Sequence, residues 1–270
     1  MKKILLLTLL SIYTSLHAQI KDTLVKVGNH SLYFHITEGT GCPIIFESGG
    51  GNDGSVWKDV MMLIAKKINA PLIAYDRAGF GKSNIDTTNI NINTEVTDLY
   101  NSLNKLGFKD DYFFVAHSLG AAYTMKFAND NKNTVRGAVF IDVVNPYFLT
   151  AERAKSIKTQ FSNELSAIKQ ESIGFYQLIL NYENTAKVMR ESAENFNIPL
   201  TIIASGITPF EGQTRTEFIE GLKKFSQEQD NRKYILMNDA EHFVFYDKPE
   251  EVANEIIKLY TNLNLPDSGK

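Results

Sequence analysis

The stretch Tyr112-Phe113-Phe114-Val115-Ala116 is an unbroken apolar run that stops at His117-Ser118-Leu119-Gly120, and a helical pattern of small residues follows from Ala121. Strand, sharp turn, helix, with a serine at the turn, is the setting in which a hydroxyl is held out at a strained backbone position for nucleophilic attack. The pattern is G-x-S-x-G with Ala116 in place of the first glycine. A tight turn needs small residues two before and two after the serine, and alanine adds one methyl group. A serine hydroxyl is a weak nucleophile at neutral pH and needs a base beside it. The same residues also read as a serine capping the N-terminus of a helix, with no chemistry at all. The rest of the chain has to separate the two readings.

Around that turn the chain alternates between short apolar runs and amphipathic stretches. Strands are expected at 23–27 and 31–36, joined by Gly28-Asn29 as a hairpin, then at 42–47, 71–75, 111–116, 135–141, 199–204 and 233–237. Helices are expected at 56–68, 93–106, 119–129, 213–229 and 250–263. Such alternation predicts an α/β fold, a mostly parallel sheet with helices on both faces, whose site is built by loops at the carboxyl ends of the strands. Ser118, Asp142, His242 and the loop Gly49-Gly50-Gly51 all fall at such ends. That convergence favours the nucleophile over the plain cap. The segment 146–197 interrupts the rhythm. Phe161, Leu165 and Ile168, then Phe175, Leu178, Ile179 and Tyr182, repeat at helical spacing, which predicts a small helical cap inserted between strands. The core is then 19–145 with 198–270.

The chain has 270 residues, 43% of them hydrophobic and 22% charged, with a formal net charge of -3. This is enough for one large α/β domain, and it leaves no basic footprint for nucleic acid and no polybasic membrane patch. Met1-Lys2-Lys3, the apolar run from Ile4 to Leu10 and the small residue Ala18 read as a secretory signal peptide, residues 1–18, with cleavage after Ala18. A retained membrane anchor is the other reading, but the apolar part is short and Ser11, Thr14 and Ser15 interrupt its second half. The expectation is an exported protein, periplasmic or secreted, without stable membrane insertion once the segment is removed. Cys42 is the single cysteine, so a monomer has no internal disulfide; it reads as a buried small hydrophobe before the strand that starts at Pro43. No Cys/His cluster or H-E-x-x-H pattern suggests a metal, and no motif implies a cofactor.

Four signals in order resemble the α/β-hydrolase superfamily over nearly all of the mature chain. They are Ser48-Gly49-Gly50-Gly51 with Trp57, Asp76-Arg77-Ala78-Gly79-Phe80-Gly81-Lys82-Ser83, the elbow at Ser118, and His242 before the last helix. The resemblance implies a serine hydrolase. Ser118 would be the nucleophile and His242, in Asn238-Asp239-Ala240-Glu241-His242-Phe243, the base and later the acid. His30, His35 and His117 read as surface or satisfied core residues, and the His117 side chain is expected to point away from the reacting atoms. The superfamily often places its acid after the strand that here is 199–204, but Ser205-Gly206-Ile207-Thr208-Pro209-Phe210-Glu211 offers only Glu211, late in the loop. Some members use the preceding strand end, which here is Asp142. Asp142 is the favoured acid and Glu211 the alternative. Asp142 also reads as a structural carboxylate capping its loop. Backbone N–H groups of Leu119 and Gly50 would form the oxyanion hole. A phosphate cradle at the glycines fits poorly, since G-x-x-x-x-G-K-[ST] is absent. The turn from Asp76 to Ser83 is expected to be structural.

A serine nucleophile leaves esters, thioesters, lactones, amides and some carbon–carbon bonds as substrates. The expected activity is carboxylesterase-like, on a small-molecule acyl substrate and through an acyl-enzyme. The alternatives are a non-catalytic ligand-binding protein on a hydrolase scaffold, motivated by the acid absent from the commoner loop and by the irregular Ala116 and Ser48, or an amidase, peptidase or lactonase with the same triad.

Overall fold

The computed structural model describes residues 19–207 and 209–265; the expected signal segment, 1–18, lies outside the described residues. The chain enters the sheet through a hairpin, β1 (Ile20–Val27) and β2 (His30–Thr37), whose turn uses Gly28 at a φ of 52°. β3 (Ile44–Glu47), β4 (Leu72–Asp76) and β5 (Tyr112–His117) follow, and every residue in them is buried. Continuous apolar runs, rather than alternating ones, suit strands that are covered on both faces. β6 (Val135–Ile141), β7 (Leu200–Ser205) and β8 (Arg232–Met237) complete eight strands in the order β1-β2-β4-β3-β5-β6-β7-β8. β1 to β2 and β2 to β4 are antiparallel, and every pairing beyond them is parallel.

Two cores lie on the two faces of this sheet. Successive strand residues point to opposite sides, so Phe113 joins one core, with Phe46 and Trp57, while Phe114 joins the other, with Phe127 and Phe140. The first face is covered by α1 (Lys58–Ala65) and α9 (Pro249–Asn262). The second is covered by α2 (Ile92–Lys105), α3 (Gly120–Asp130) and α7 (Gly212–Gln227). α2 starts at a capping box, in which the Asn91 side chain takes the Thr94 N–H and the Thr94 hydroxyl answers to the Asn91 N–H.

Between β6 and β7 run α4 (Ala151–Gln160), α5 (Leu165–Glu171) and α6 (Ile173–Ala193). The Ser172 side chain caps α6 by accepting from Phe175 N–H. α6 packs on α3, α4 and α5 and buries Leu178 and Ile179. Its first turn meets the 76–83 turn backbone to backbone. A Cβ on Gly174 would stand 2.6 Å from the Gly79 carbonyl oxygen, and one on Gly79 would stand 2.8 Å from the Gly174 Cα.

Two elements differ from the sequence expectation. The helix expected from Val56 begins as a 3-10 turn, Gly54–Trp57, because the Asp53 carboxylate accepts from Ser55 N–H and the Asp76 carboxylate from Gly54 N–H. A short helix, α8 (Val244–Asp247), precedes α9, and Pro249 then opens α9 at its first turn, where its missing N–H costs nothing.

Candidate active site

β5 runs straight into the elbow. Ser118 sits at a φ of 52°, a left-handed conformation that costs a non-glycine residue roughly 1–3 kcal/mol and persists only where its surroundings impose it. Here they do. Ser118 N–H donates to the Ile141 carbonyl at 3.2 Å, and its carbonyl accepts from Val144 N–H at 3.2 Å. Gly120 has no room for a side chain, since a Cβ would fall 2.6 Å from the Glu47 carbonyl oxygen. Ala116, two residues before the serine, is fully buried, so the added methyl is packed rather than expelled. Ser118 itself keeps partial access to solvent.

Asp142 follows the last residue of β6, also in the left-handed region at a φ of 45°, and is fully buried. Its Oδ2 lies 2.7 Å from His242 Nδ1, and its Oδ1 accepts from Ser205 N–H at 2.9 Å. The backbone donor fixes one carboxylate oxygen and thereby aims the other at the imidazole. With Nδ1 engaged, Nε2 is the ring nitrogen left for proton transfer. Glu211, the alternative acid, is exposed at the N-terminal cap of α7. The structure therefore brings Asp142, and not Glu211, to His242.

His117 is a buried residue, as expected, but not a fully satisfied one, since among the described residues its Nδ1 has no hydrogen-bond partner. Its ring packs against His242, with centroids 4.5 Å apart, and its Nε2 lies 3.0 Å from the His242 carbonyl oxygen. A Cβ on Gly49 would stand 2.9 Å from His117 Nδ1 and 3.1 Å from Ser118 Cβ, so His117 is wedged between the glycine loop and the His242 loop. Burial, reinforced by neighbouring His242, holds its pKa down to about 3, so it is neutral across the physiological range. No sequence signal separated this histidine from an ordinary core residue.

The glycine loop lies against the elbow. A Cβ on Gly50 would come 3.5 Å from Leu119 Cδ2 and 3.8 Å from Leu119 Cβ. Among the described residues, the backbone N–H groups of Gly50 and Leu119 donate to no protein acceptor, which is the condition for donors reserved for a substrate oxygen. α6 roofs the loop, with Leu178 Cδ1 3.8 Å from the Gly50 Cβ position and the Phe175 ring 3.9 Å from that of Gly51.

Behind the loop lies a buried polar cluster that sequence reading did not assemble. Arg77 Nη1 donates to Glu47 Oε1 at 2.7 Å and to the Ser48 carbonyl at 2.6 Å, and Nη2 donates to the Gly49 carbonyl at 2.6 Å. Tyr75 OH donates to Glu47 Oε2 at 2.5 Å, and the Arg77 guanidinium stacks 4.8 Å from the Tyr123 ring centroid. Burial works against the Arg77 charge, but the facing Glu47 carboxylate raises its pKa above the ordinary arginine value. Tyr123 OH donates to Glu95 Oε2 at 3.0 Å, and burial raises the Glu95 pKa to about 7. The one available signal was Glu47 itself, a carboxylate closing an otherwise apolar strand.

No group of three or more His, Cys, Asp or Glu side chains among the described residues is arranged to hold a metal ion, and no described helix is long and apolar enough to cross a membrane.

The sequence model of the Alpha/beta hydrolase family matches residues 44–255. The Uncharacterized protein YqjL of Bacillus subtilis (strain 168) is 33% identical over 108 residues, 40% of this chain and 42% of that protein, so the chain matches about two-fifths of that curated relative. Among solved structures, a thermophilic esterase from Thermogutta terrifontis superposes with a TM-score of 0.61 at 18% identity, over 91% of this chain and 99% of that one. A bromoperoxidase from Bacillus anthracis gives 0.68 at 18% identity, over 89% and 100%. A haloalkane dehalogenase from Agrobacterium tumefaciens gives 0.71 at 15% identity, over 90% and 97%. At such identities the likeness speaks for the fold.

Proposed function

We propose, from the premise that the chain belongs to the alpha/beta hydrolase family, that it is an exported serine hydrolase cleaving ester-type acyl bonds through an acyl-enzyme. Membership of that family supports a hydrolytic function. The observation that carries the finer reading is the contact of Asp142 with His242 at 2.7 Å, beside a serine held at a φ of 52°.

In this reading Ser118 Oγ attacks the substrate carbonyl carbon as His242 Nε2 takes the hydroxyl proton. Asp142 holds the ring in the tautomer that leaves Nε2 free to accept, and it stabilises the imidazolium that forms. The negative charge on the substrate oxygen meets the N–H groups of Gly50 and Leu119. The C–O bond to the leaving group breaks as His242 returns the proton to it. Water, deprotonated by the same nitrogen, then releases the acid and restores Ser118. An ester fits this sequence most simply, because an alkoxide leaves more readily than an amide nitrogen. An amidase, peptidase or lactonase would use the same groups.

The binding-protein alternative rested on the irregular Ala116 and Ser48 and on the acid absent from the loop after 199–204. Asp142 supplies that contact from the preceding strand end, which weakens the motive. The test is fluorophosphonate labelling of the mature protein, Gln19 to Lys270, beside Ser118→Ala. Wild type should label and hydrolyse short p-nitrophenyl esters. The variant should not label, and its turnover should fall by on the order of 10³-fold or more. Equal turnover in both would remove Ser118 from the mechanism. A folded wild type that neither labels nor turns over would return the reading to ligand binding.

A further inference from the structure

The glycine loop is tied at its ends, where Ser48 Oγ donates to the Asp53 carbonyl at 2.9 Å and accepts from Trp57 Nε1–H at 3.1 Å, but its middle is built of glycines. Gly49, Gly50 and Gly51 are consecutive, Gly51 at a φ of 83°, and glycine carries the largest backbone freedom of any residue. The turn bond from Asn52 N–H to the Gly49 carbonyl is long, 3.4 Å. Rotation of the Gly49–Gly50 peptide would meet little local resistance. It would present a carbonyl oxygen, rather than an N–H, to a developing oxyanion.

Arg77 supplies the missing restraint. A trans peptide is planar, so the carbonyl of one residue and the N–H of the next point in opposite directions. The Gly49 carbonyl is drawn onto Arg77 Nη2 at 2.6 Å, which turns Gly50 N–H to the other side of the loop. The loop packs on the elbow there, with the Gly50 Cβ position 3.8 Å from Leu119 Cβ, and among the described residues Gly50 N–H has no protein acceptor. The Ser48 carbonyl, 2.6 Å from Nη1, fixes the preceding plane in the same sense.

We propose that Arg77 is a positioning residue of the oxyanion hole: its two carbonyl contacts aim Gly50 N–H at the substrate oxygen on Ser118, while Glu47 and Tyr75 hold the guanidinium in place. The proposal rests on the serine-hydrolase reading. It assigns the two neighbours different work. Glu47 pairs with the buried Arg77 charge and seats the guanidinium, and Arg77 keeps the donor aimed.

The test compares Arg77→Lys, Glu47→Gln and the charge-balanced double variant Arg77→Gln/Glu47→Gln, which leaves no unpaired charge buried. Melting temperature, kcat, KM and the second-order rate of fluorophosphonate labelling are read for each. A lysine ammonium is a point donor and cannot serve two carbonyls and a carboxylate in one plane. In Arg77→Lys and the double variant, kcat and the labelling rate should fall together by about 10–100-fold, with KM changed less than about threefold. Glu47→Gln should melt lower and lose clearly less kcat than Arg77→Lys, since the guanidinium loses one support but can still reach both carbonyls. A folded Arg77 variant with wild-type kcat overturns the proposal. So does a Glu47→Gln loss of kcat as large as that of Arg77→Lys, which would mark the cluster as generic support. Wild-type labelling in the same assay separates the two levels: an unlabelled wild type removes the hydrolase reading and this proposal with it, whereas a labelled wild type with unaffected variants removes only this proposal.

Discussion

Asp142 is strained, buried and doubly bonded, three properties a surface cap would not need together. Its left-handed backbone swings the carboxylate off the end of β6, Ser205 N–H takes one oxygen, and His242 takes the other. If it orients the imidazole, Asp142→Asn should lower kcat by on the order of 10³–10⁴-fold with the fold intact, because an amide favours the wrong tautomer. Glu211→Gln, on an exposed cap, should change kcat by less than about twofold. Steady-state kinetics of the two variants, with circular dichroism as the folding control, decides it. The reverse pattern would move the acid to Glu211. At this scale the sequence is informative where polarity interrupts an apolar run: Ser118, Asp142 and Glu47 each follow or close a buried strand. It is silent where the partner is remote. Arg77 and Glu47 are 30 positions apart, and His117 and His242 are 125 apart. No local pattern encodes which way a ring or guanidinium turns once the chain is folded.

Elements were more legible than contacts. A parallel sheet covered on both faces writes itself as short apolar runs, and β3, β4, β5 and β7 fall where those runs lie, while the antiparallel β1 and β2 show partial alternation. Helix boundaries blur where side chains intercept backbone donors, as Asp53 and Asp76 do at the 3-10 turn. The helices between β6 and β7 were visible by their spacing, but their position over the glycine loop was not. That position has a consequence for selectivity. Leu178 closes the space above Gly50, so Leu178→Ala should raise kcat/KM for longer acyl chains relative to acetyl by about tenfold. It should also cost about 2–3 kcal/mol of stability as a buried leucine truncation. A p-nitrophenyl ester series from acetate to octanoate reads the ratio. An unchanged ratio would place the acyl group elsewhere.

Across the whole molecule, one buried acid couples stability to pH. Burial raises the Glu95 pKa from 4.5 to about 7, against the lowering influence of Arg77. Between those values the folded protein holds a proton that the unfolded chain has released, so stability falls as pH rises through that window and levels off above it. Glu95 keeps some solvent access, which sets the effect at about 1–2 kcal/mol. Glu95→Gln keeps an acceptor for Tyr123 and removes the charge. It should melt higher than wild type at pH 8 and match it at pH 4, measured by thermal denaturation at both values. Equal melting at pH 8 would show that the carboxylate is ionised in the fold without cost.

The meeting of Gly79 and Gly174 makes the root of α6 a fulcrum. Two backbones in direct contact leave nothing compressible between them, so α6 cannot press closer to the 76–83 turn at that point. Its 21 residues form a lever about 30 Å long. A tilt of about 10° would carry the far end through about 5 Å but displace Leu178, one turn from the pivot, by only about 1 Å. Such a swing would pull the buried Ala186, Met189 and Ser192 out of the core, so the roof over the oxyanion loop stays in register and acts on the substrate through its side chains rather than through its motion.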